Sequence, residues 1–287
     1  DLDGRGFTEI LAQERTAANP IPEAHLARKI ALHYRASDGA LVHGYLSLPP
    51  GKDASQVPMM TMVHGGPWGS FENGYTTLVQ LLVNRGVAVF QPNFRASTGY
   101  GDKYMLATKS DFGNGRVQAD VIEGVRWLLA NGVGDKRKLA IMGDSFGGYS
   151  TLLALTNTPD LFQFGMATVP PADFARTMKL ASDAGGAMGG ADVPFSMTLS
   201  EMGIRLDDAA MMKRISDDAP AAHAAKVQKP LLILAGAKDD KVEIAAVTDY
   251  VAKLQGLGKP VSLLVDPDEG HNPRKPIVKQ AYTYLLQ

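Results

Sequence analysis

Short apolar runs alternate along the chain with stretches whose apolar residues recur every three or four positions. The runs at 29–35, 41–48, 59–63, 87–91, 139–142, 164–169, 231–235 and 261–265 predict eight strands. The first two face each other across Ser37-Asp38-Gly39, a hairpin turn signal. Val117, Val121, Val125, Leu128 and Leu129 place one apolar stripe on a helix, and 242–254 and 275–286 predict two more. Strands and helices alternating at this spacing imply an α/β protein, with a mostly parallel sheet covered by helices on both faces. Residues 182–193, with Gly185, Gly186, Gly189 and Gly190, are too Gly-rich for a regular element. They read as a loop, either a cap over a site or plain surface.

The first 29 residues stand apart from this alternation. A strand-like stretch at 7–11 is followed by the connector Asn19-Pro20-Ile21-Pro22, so 1–29 reads as an extension and linker, and 30–287 as one domain. The opening Asp1-Leu2-Asp3-Gly4-Arg5-Gly6 has neither an initiating Met nor a basic and then apolar signal region, and reads as a cut or processed end. Its compartment stays open.

Composition narrows the chemistry. At 287 residues, 45% hydrophobic and 21% charged, the chain can bury a large core. A formal net charge of −1 gives no electrostatic reason to expect nucleic acid or an anionic membrane as partner. No apolar run approaches the ~20 residues of a membrane-spanning helix. The absence of Cys excludes disulfides, thiolate catalysis and Cys-ligated metals.

The chemistry centres on Gly143-Asp144-Ser145-Phe146-Gly147-Gly148, between the strand at 139–142 and a helical stretch at 149–155. A strand that bends sharply into a helix projects its central Ser above the sheet, where Oγ can attack a carbonyl. Three fixed positions at ~7% usage each match by chance in about one chain in ten of this length, so the context must decide. It agrees with the elbow, with a strand before and a helix after.

An acyl-transfer serine also needs a base, an acid to orient it, and donors for the oxyanion, all at the carboxyl ends of strands. The strand at 231–235 ends in Gly236-Ala237-Lys238-Asp239-Asp240, and that at 261–265 leads to Asp268-Glu269-Gly270-His271. Ser145, an Asp and His271 thus follow in the order expected for an α/β-hydrolase. His25, His33, His43 and His223 sit where structural roles are expected. For the oxyanion, the N–H of Phe146 pairs with one from His64-Gly65-Gly66-Pro67; Pro67 has no N–H, which leaves Gly65 or Gly66. His64 reads as a side chain holding that loop. Arg95 and Tyr100, after the fourth strand, lie near the mouth, with substrate contact and loop packing both open.

His64 to Pro67, the run from Asn93 to Gly101, Gly143 to Tyr149, Gly236 to Val242 and Asp268 to His271 together resemble the catalytic domain of the prolyl oligopeptidase family, in its acylaminoacyl-peptidase and dipeptidyl-peptidase branch. The likeness runs from about Lys29 to the end. It implies an eight-stranded α/β-hydrolase fold, with Ser145 as nucleophile, Asp239 rather than Asp240 as the acid, and His271 as base. Asp144, Phe146 and Ala96 depart from the residues usual in the family. No cofactor or metal is implied, and the expected substrate is a small peptide, with short acyl esters as the alternative. The family places a β-propeller before this domain. Fewer than 30 residues precede it here, against ~40 for a single blade, so 1–11 is expected to be the end of such a propeller and an oligomer is left open.

Overall fold

The computed structural model describes residues 26–108, 111–183, 195–201 and 203–271. The strand-like stretch at 7–11, most of the linker, residues 184–193 of the Gly-rich segment and the helix expected at 275–286 lie outside the described residues.

The eight strands form one sheet. They are β1 (Lys29–Arg35), β2 (Leu41–Ser47), β3 (Met59–Val63), β4 (Ala88–Asn93), β5 (Leu139–Asp144), β6 (Phe164–Thr168), β7 (Leu231–Gly236) and β8 (Val261–Asp266). Their order is β1-β2-β4-β3-β5-β6-β7-β8. β2 pairs antiparallel with β1 and β4, and every other neighbouring pair is parallel. This is the α/β-hydrolase sheet the sequence implied. The parallel strands need crossovers, which the helices supply.

Among the described residues, eight α-helices join them: α1 (Thr77–Asn84), α2 (Asp102–Met105), α3 (Arg116–Ala130), α4 (Phe146–Asn157), α5 (Phe174–Asp183), α6 (Phe195–Glu201), α7 (Ala209–Asp217) and α8 (Ile244–Gly256). Alternate residues of a strand point to opposite faces, so the sheet builds two cores. Leu139 and Ile141 of β5 pack with Val121 and Val125 of α3, Leu152 of α4 and Val251 of α8. Met142, in the opposite phase, joins Met60, Val89, Met166 and Leu234 under Val79, Leu82 and Val83 of α1. Ser182 and Asp183 belong to the last turn of α5 rather than to a loop.

The centre of the sheet and α4 approach more closely than side chains allow. A Cβ on Gly147 would lie 2.0 Å from the Val63 carbonyl oxygen, and one on Gly143 2.4 Å from the Gly147 carbonyl carbon. Glycine at both positions lets α4 rise directly from the end of β5.

Candidate active site

Ser145 occupies the bend between β5 and α4 with φ 56° and ψ −118°, a conformation rare for a residue with a side chain. Strain of this kind costs about 1–3 kcal/mol and persists only where the surroundings impose it. Here the Ser145 N–H donates to the Thr168 carbonyl at 2.9 Å, and the Ser145 carbonyl accepts from Tyr149 N–H at 2.9 Å. The bend is thus fastened on one side to β6 and on the other to the first turn of α4.

His271 approaches from beyond β8. Its Nε2 lies 2.9 Å from Ser145 Oγ, and its Nδ1 lies 2.9 and 3.0 Å from the two Asp239 carboxylate oxygens. A carboxylate only accepts, so Nδ1 carries the proton and Nε2 presents a lone pair to the serine hydroxyl. The Asp239 side chain is 2% accessible and that of His271 11%. Asp239 Oδ1 also accepts from the N–H groups of Lys241 and Val242, at 2.8 and 2.9 Å, which fix the carboxylate from behind. Asp240 is exposed. The structure therefore brings Asp239, not its neighbour, to the imidazole.

The segments after β7 and β8 are tied to each other. The N–H of Ala237 donates to Asp266 and that of Lys238 to Glu269, at 2.8 and 2.9 Å, while Lys238 Nζ meets Asp268 at 2.9 Å. Gly236 makes the crossing feasible: a Cβ there would sit 2.4 and 2.5 Å from the Glu269 and Gly270 carbonyl oxygens. Sequence reasoning gave Gly236 no part in holding His271. A Gly at the last position of the strand that leads to Asp239 was the available signal.

Phe146 begins α4, so its N–H is among the first-turn amides that have no carbonyl partner inside the helix. Its ring is buried among Phe94, Phe112, Tyr149 and Phe174. Gly65 lies against Ser145, where an added Cβ would stand 3.4 Å from Ser145 Cβ. His64 secures this loop. Its Nδ1 bonds the Gly65 carbonyl at 2.8 Å, its Nε2 meets Ser97 Oγ at 2.8 Å, and its ring stacks on Phe94. Burial pulls its pKa down to about 4, so the ring is neutral at physiological pH. The proton must sit on Nδ1, because a carbonyl cannot donate, and Ser97 then donates to Nε2. With the Gly65 carbonyl fixed, peptide planarity also fixes the direction of the Gly66 N–H.

Arg95 and Tyr100 are engaged elsewhere. The Arg95 guanidinium grips buried Asp120 of α3 through Nε at 2.8 Å and Nη2 at 2.6 Å, and reaches Asp38 of the hairpin turn with Nη1 at 2.7 Å. Its charge is consumed by carboxylates of the fold, which hold its pKa above the ordinary arginine value. Tyr100 stacks on His43, ring centres 4.5 Å apart, and its hydroxyl accepts from Asn93 Nδ2 at 2.8 Å. Of the two roles left open for these residues, the contacts present are those of loop packing. Among the described residues, no group of three or more His, Asp or Glu could hold a metal ion.

Similarity to known proteins agrees with this geometry. Residues 73–286 match the family model described as "Prolyl oligopeptidase family". Over 257 residues the chain is 34% identical to dipeptidyl aminopeptidase BIII of Pseudoxanthomonas mexicana, covering 87% of this chain and 36% of that protein. It is 28% identical over 262 residues to the acylamino-acid-releasing enzyme of Rattus norvegicus, covering 88% and 35%. A solved puromycin-hydrolyzing peptidase of Mycobacterium tuberculosis superimposes with a TM-score of 0.78 at 26% identity, over 93% of this chain and 40% of that one. The chain thus spans about a third of the length of the curated relatives it matches. With the family model spanning the elbow, both loops that carry its partners and the sheet between them, the chain belongs to the prolyl oligopeptidase family.

Proposed function

We propose that this chain is a serine hydrolase that cleaves peptide bonds in small substrates, of the oligopeptide, aminoacyl or acylaminoacyl class, through an acyl-enzyme on Ser145. The observation that carries it is the unbroken relay from Ser145 Oγ through His271 to Asp239, each link about 2.9 Å, at a strained strand-to-helix bend. The names of the relatives, a dipeptidyl aminopeptidase and an acylamino-acid-releasing enzyme, support the substrate class.

In this mechanism His271 Nε2 takes the Ser145 proton as Oγ bonds the scissile carbonyl carbon. The electron pair displaced onto the carbonyl oxygen is met by the N–H of Phe146 and one N–H of Gly65 or Gly66. Asp239 stabilises the imidazolium without itself taking the proton. The imidazolium then protonates the leaving nitrogen, the C–N bond breaks, and the acyl-enzyme remains. Water repeats the sequence, losing a proton to His271 and releasing the acid and Ser145.

Short acyl esters are the second reading. An activated ester needs little beyond nucleophile and oxyanion donors, whereas an amide must be held in register while its nitrogen is protonated. The test compares kcat/KM for a p-nitrophenyl acyl ester and the matching blocked aminoacyl amide. Ready ester hydrolysis with amide cleavage about 100-fold weaker or more is expected where positioning groups outside the chain are missing. Equal efficiency would locate those groups within the chain. Hydrolysis of neither would overturn the proposal.

A further inference from the structure

Beside the chain's entry into β1 lies a recess that the mechanism does not use. It has a volume of about 200 Å³, sits between β1, β2 and the start of α1, and counts Lys29, Ser47, Thr76, Val79 and Gln80 among its lining residues. None of its described lining residues belongs to the relay around Ser145. Lys29 and Ser47 are partners across the β1–β2 pair, and Ser47 also pairs with Val89, which belongs to the α1-side core. Partners directly opposite share a face of the sheet, so the Lys29 and Ser47 side chains both point towards α1, where the recess lies.

Three kinds of donor converge there. Ser47 is 1% exposed, yet its Oγ has no hydrogen-bond partner, and buried hydroxyls are otherwise almost always paired. Lys29 Nζ gives one of its three hydrogens to the Glu72 carbonyl, at 2.7 Å, which leaves two. Burial pulls the pKa of Lys29 down, and the attraction of the Glu72 carboxylate offsets only part of that, so the ammonium is short of solvation. α1 contributes its open end. The Thr76 side chain makes no capping bond and the first turn holds no acidic residue. The N–H groups of that turn have no carbonyl partner inside the helix, and with the helix dipole they favour an anion. The wall is already fixed, since the Gln80 amide bonds both the N–H and the carbonyl of Ala27 at 2.9 Å.

We propose that this recess binds a tetrahedral oxyanion of the phosphate class, held by the Lys29 ammonium, the Ser47 hydroxyl and the first-turn N–H groups of α1. All three donate, and they arrive from two strands and a helix. Donors placed in that way surround a tetrahedral ion, whereas a planar carboxylate is met along one edge. At ~30 Å³ per water, the recess holds about six waters. That is room for a phosphate ion and too little for a nucleotide. The carboxylate that acts on Lys29, that of Glu72, is exposed at the rim.

The probe is inorganic phosphate, followed by the width of its phosphorus NMR line as the chain is added at fixed ionic strength. Wild type should broaden the line saturably. Losing a charge-assisted hydrogen bond weakens binding about 10-fold or more, so Lys29→Met and Ser47→Ala should each lower the affinity by about that factor. Ser47→Ala removes a hydroxyl with no partner in the fold, so the test stands should Lys29→Met fail to fold. Glu72→Gln removes a repelling charge and should tighten binding about 2- to 3-fold, a gain that lost packing would not produce. Acetate at equal concentration should leave the line broad. No broadening with wild type, wild-type affinity in a folded Lys29→Met or Ser47→Ala, weaker binding in Glu72→Gln, or relief of the broadening by acetate would each overturn the proposal. None of these readouts depends on the chemistry at Ser145.

Discussion

Replacing Asp239 by Asn changes one atom and reverses one hydrogen bond. In the wild type the carboxylate accepts from His271 Nδ1 and from two backbone N–H groups, Lys241 and Val242. The Asn carbonyl oxygen can still accept both backbone bonds, so the turn after β7 keeps its shape. The amide nitrogen then faces Nδ1 and donates to it. The imidazole must answer with the other tautomer, protonated on Nε2, which directs a donor rather than a lone pair at Ser145 Oγ. A serine facing a donor cannot pass its proton, and a tautomer error of this kind costs ~10⁴ in kcat, or about 5.4 kcal/mol of barrier. Asp240→Asn is the matched control. It is exposed, and the hydrogen bonds of His271 go to Asp239 and Ser145, so kcat should stay within about twofold. The assay is steady-state ester hydrolysis on the pH plateau, with a denaturant melt of each variant to show that the fold is kept. More than a tenth of wild-type kcat in a folded Asp239→Asn, or a larger loss in Asp240→Asn, would refute the assignment of the acid.

Gly236→Ala should lower kcat/KM by about 100-fold, because its methyl meets the Glu269 and Gly270 carbonyls at 2.4 and 2.5 Å and a displacement of His271 by about 1 Å suffices for that loss. Gly256→Ala, with nothing within 4 Å, should leave activity unchanged; equal activity in both variants would contradict the crossing described here. Stability should carry the signature of His64, whose pKa falls from 6.5 to about 4 on folding. The unfolded chain binds the extra proton first, so this contribution is complete above pH 6.5 and is lost as pH falls towards 4, by about 3 kcal/mol. Denaturant melts across that range should show the loss in wild type and a shallower one in His64→Gln; equal slopes would mean that His64 is not buried neutral.

The buried strands were legible because parallel strands in a covered sheet are continuously apolar. Their ends were not. β5 runs on through Gly143 and Asp144, β7 through Gly236 and β4 through Pro92 and Asn93, and none of these residues carries an apolar signal. α1 escaped notice because its buried stripe is only Val79, Leu82 and Val83. Ser145 and His271 could be proposed from strand order and motif, and Asp239 over Asp240 from family likeness. The fate of Arg95 could not, since its partners stand 25 residues later on α3 and 57 residues earlier in the hairpin turn. Only the folded sheet brings those three together.

The most direct test is mass spectrometry of the wild-type chain after reaction with a fluorophosphonate. A single adduct on the peptide that contains Ser145, absent in Ser145→Ala and strongly slowed in His271→Ala, is the predicted result. A folded Ser145→Ala that still takes up the probe and turns over ester, or an adduct on another serine, would contradict it.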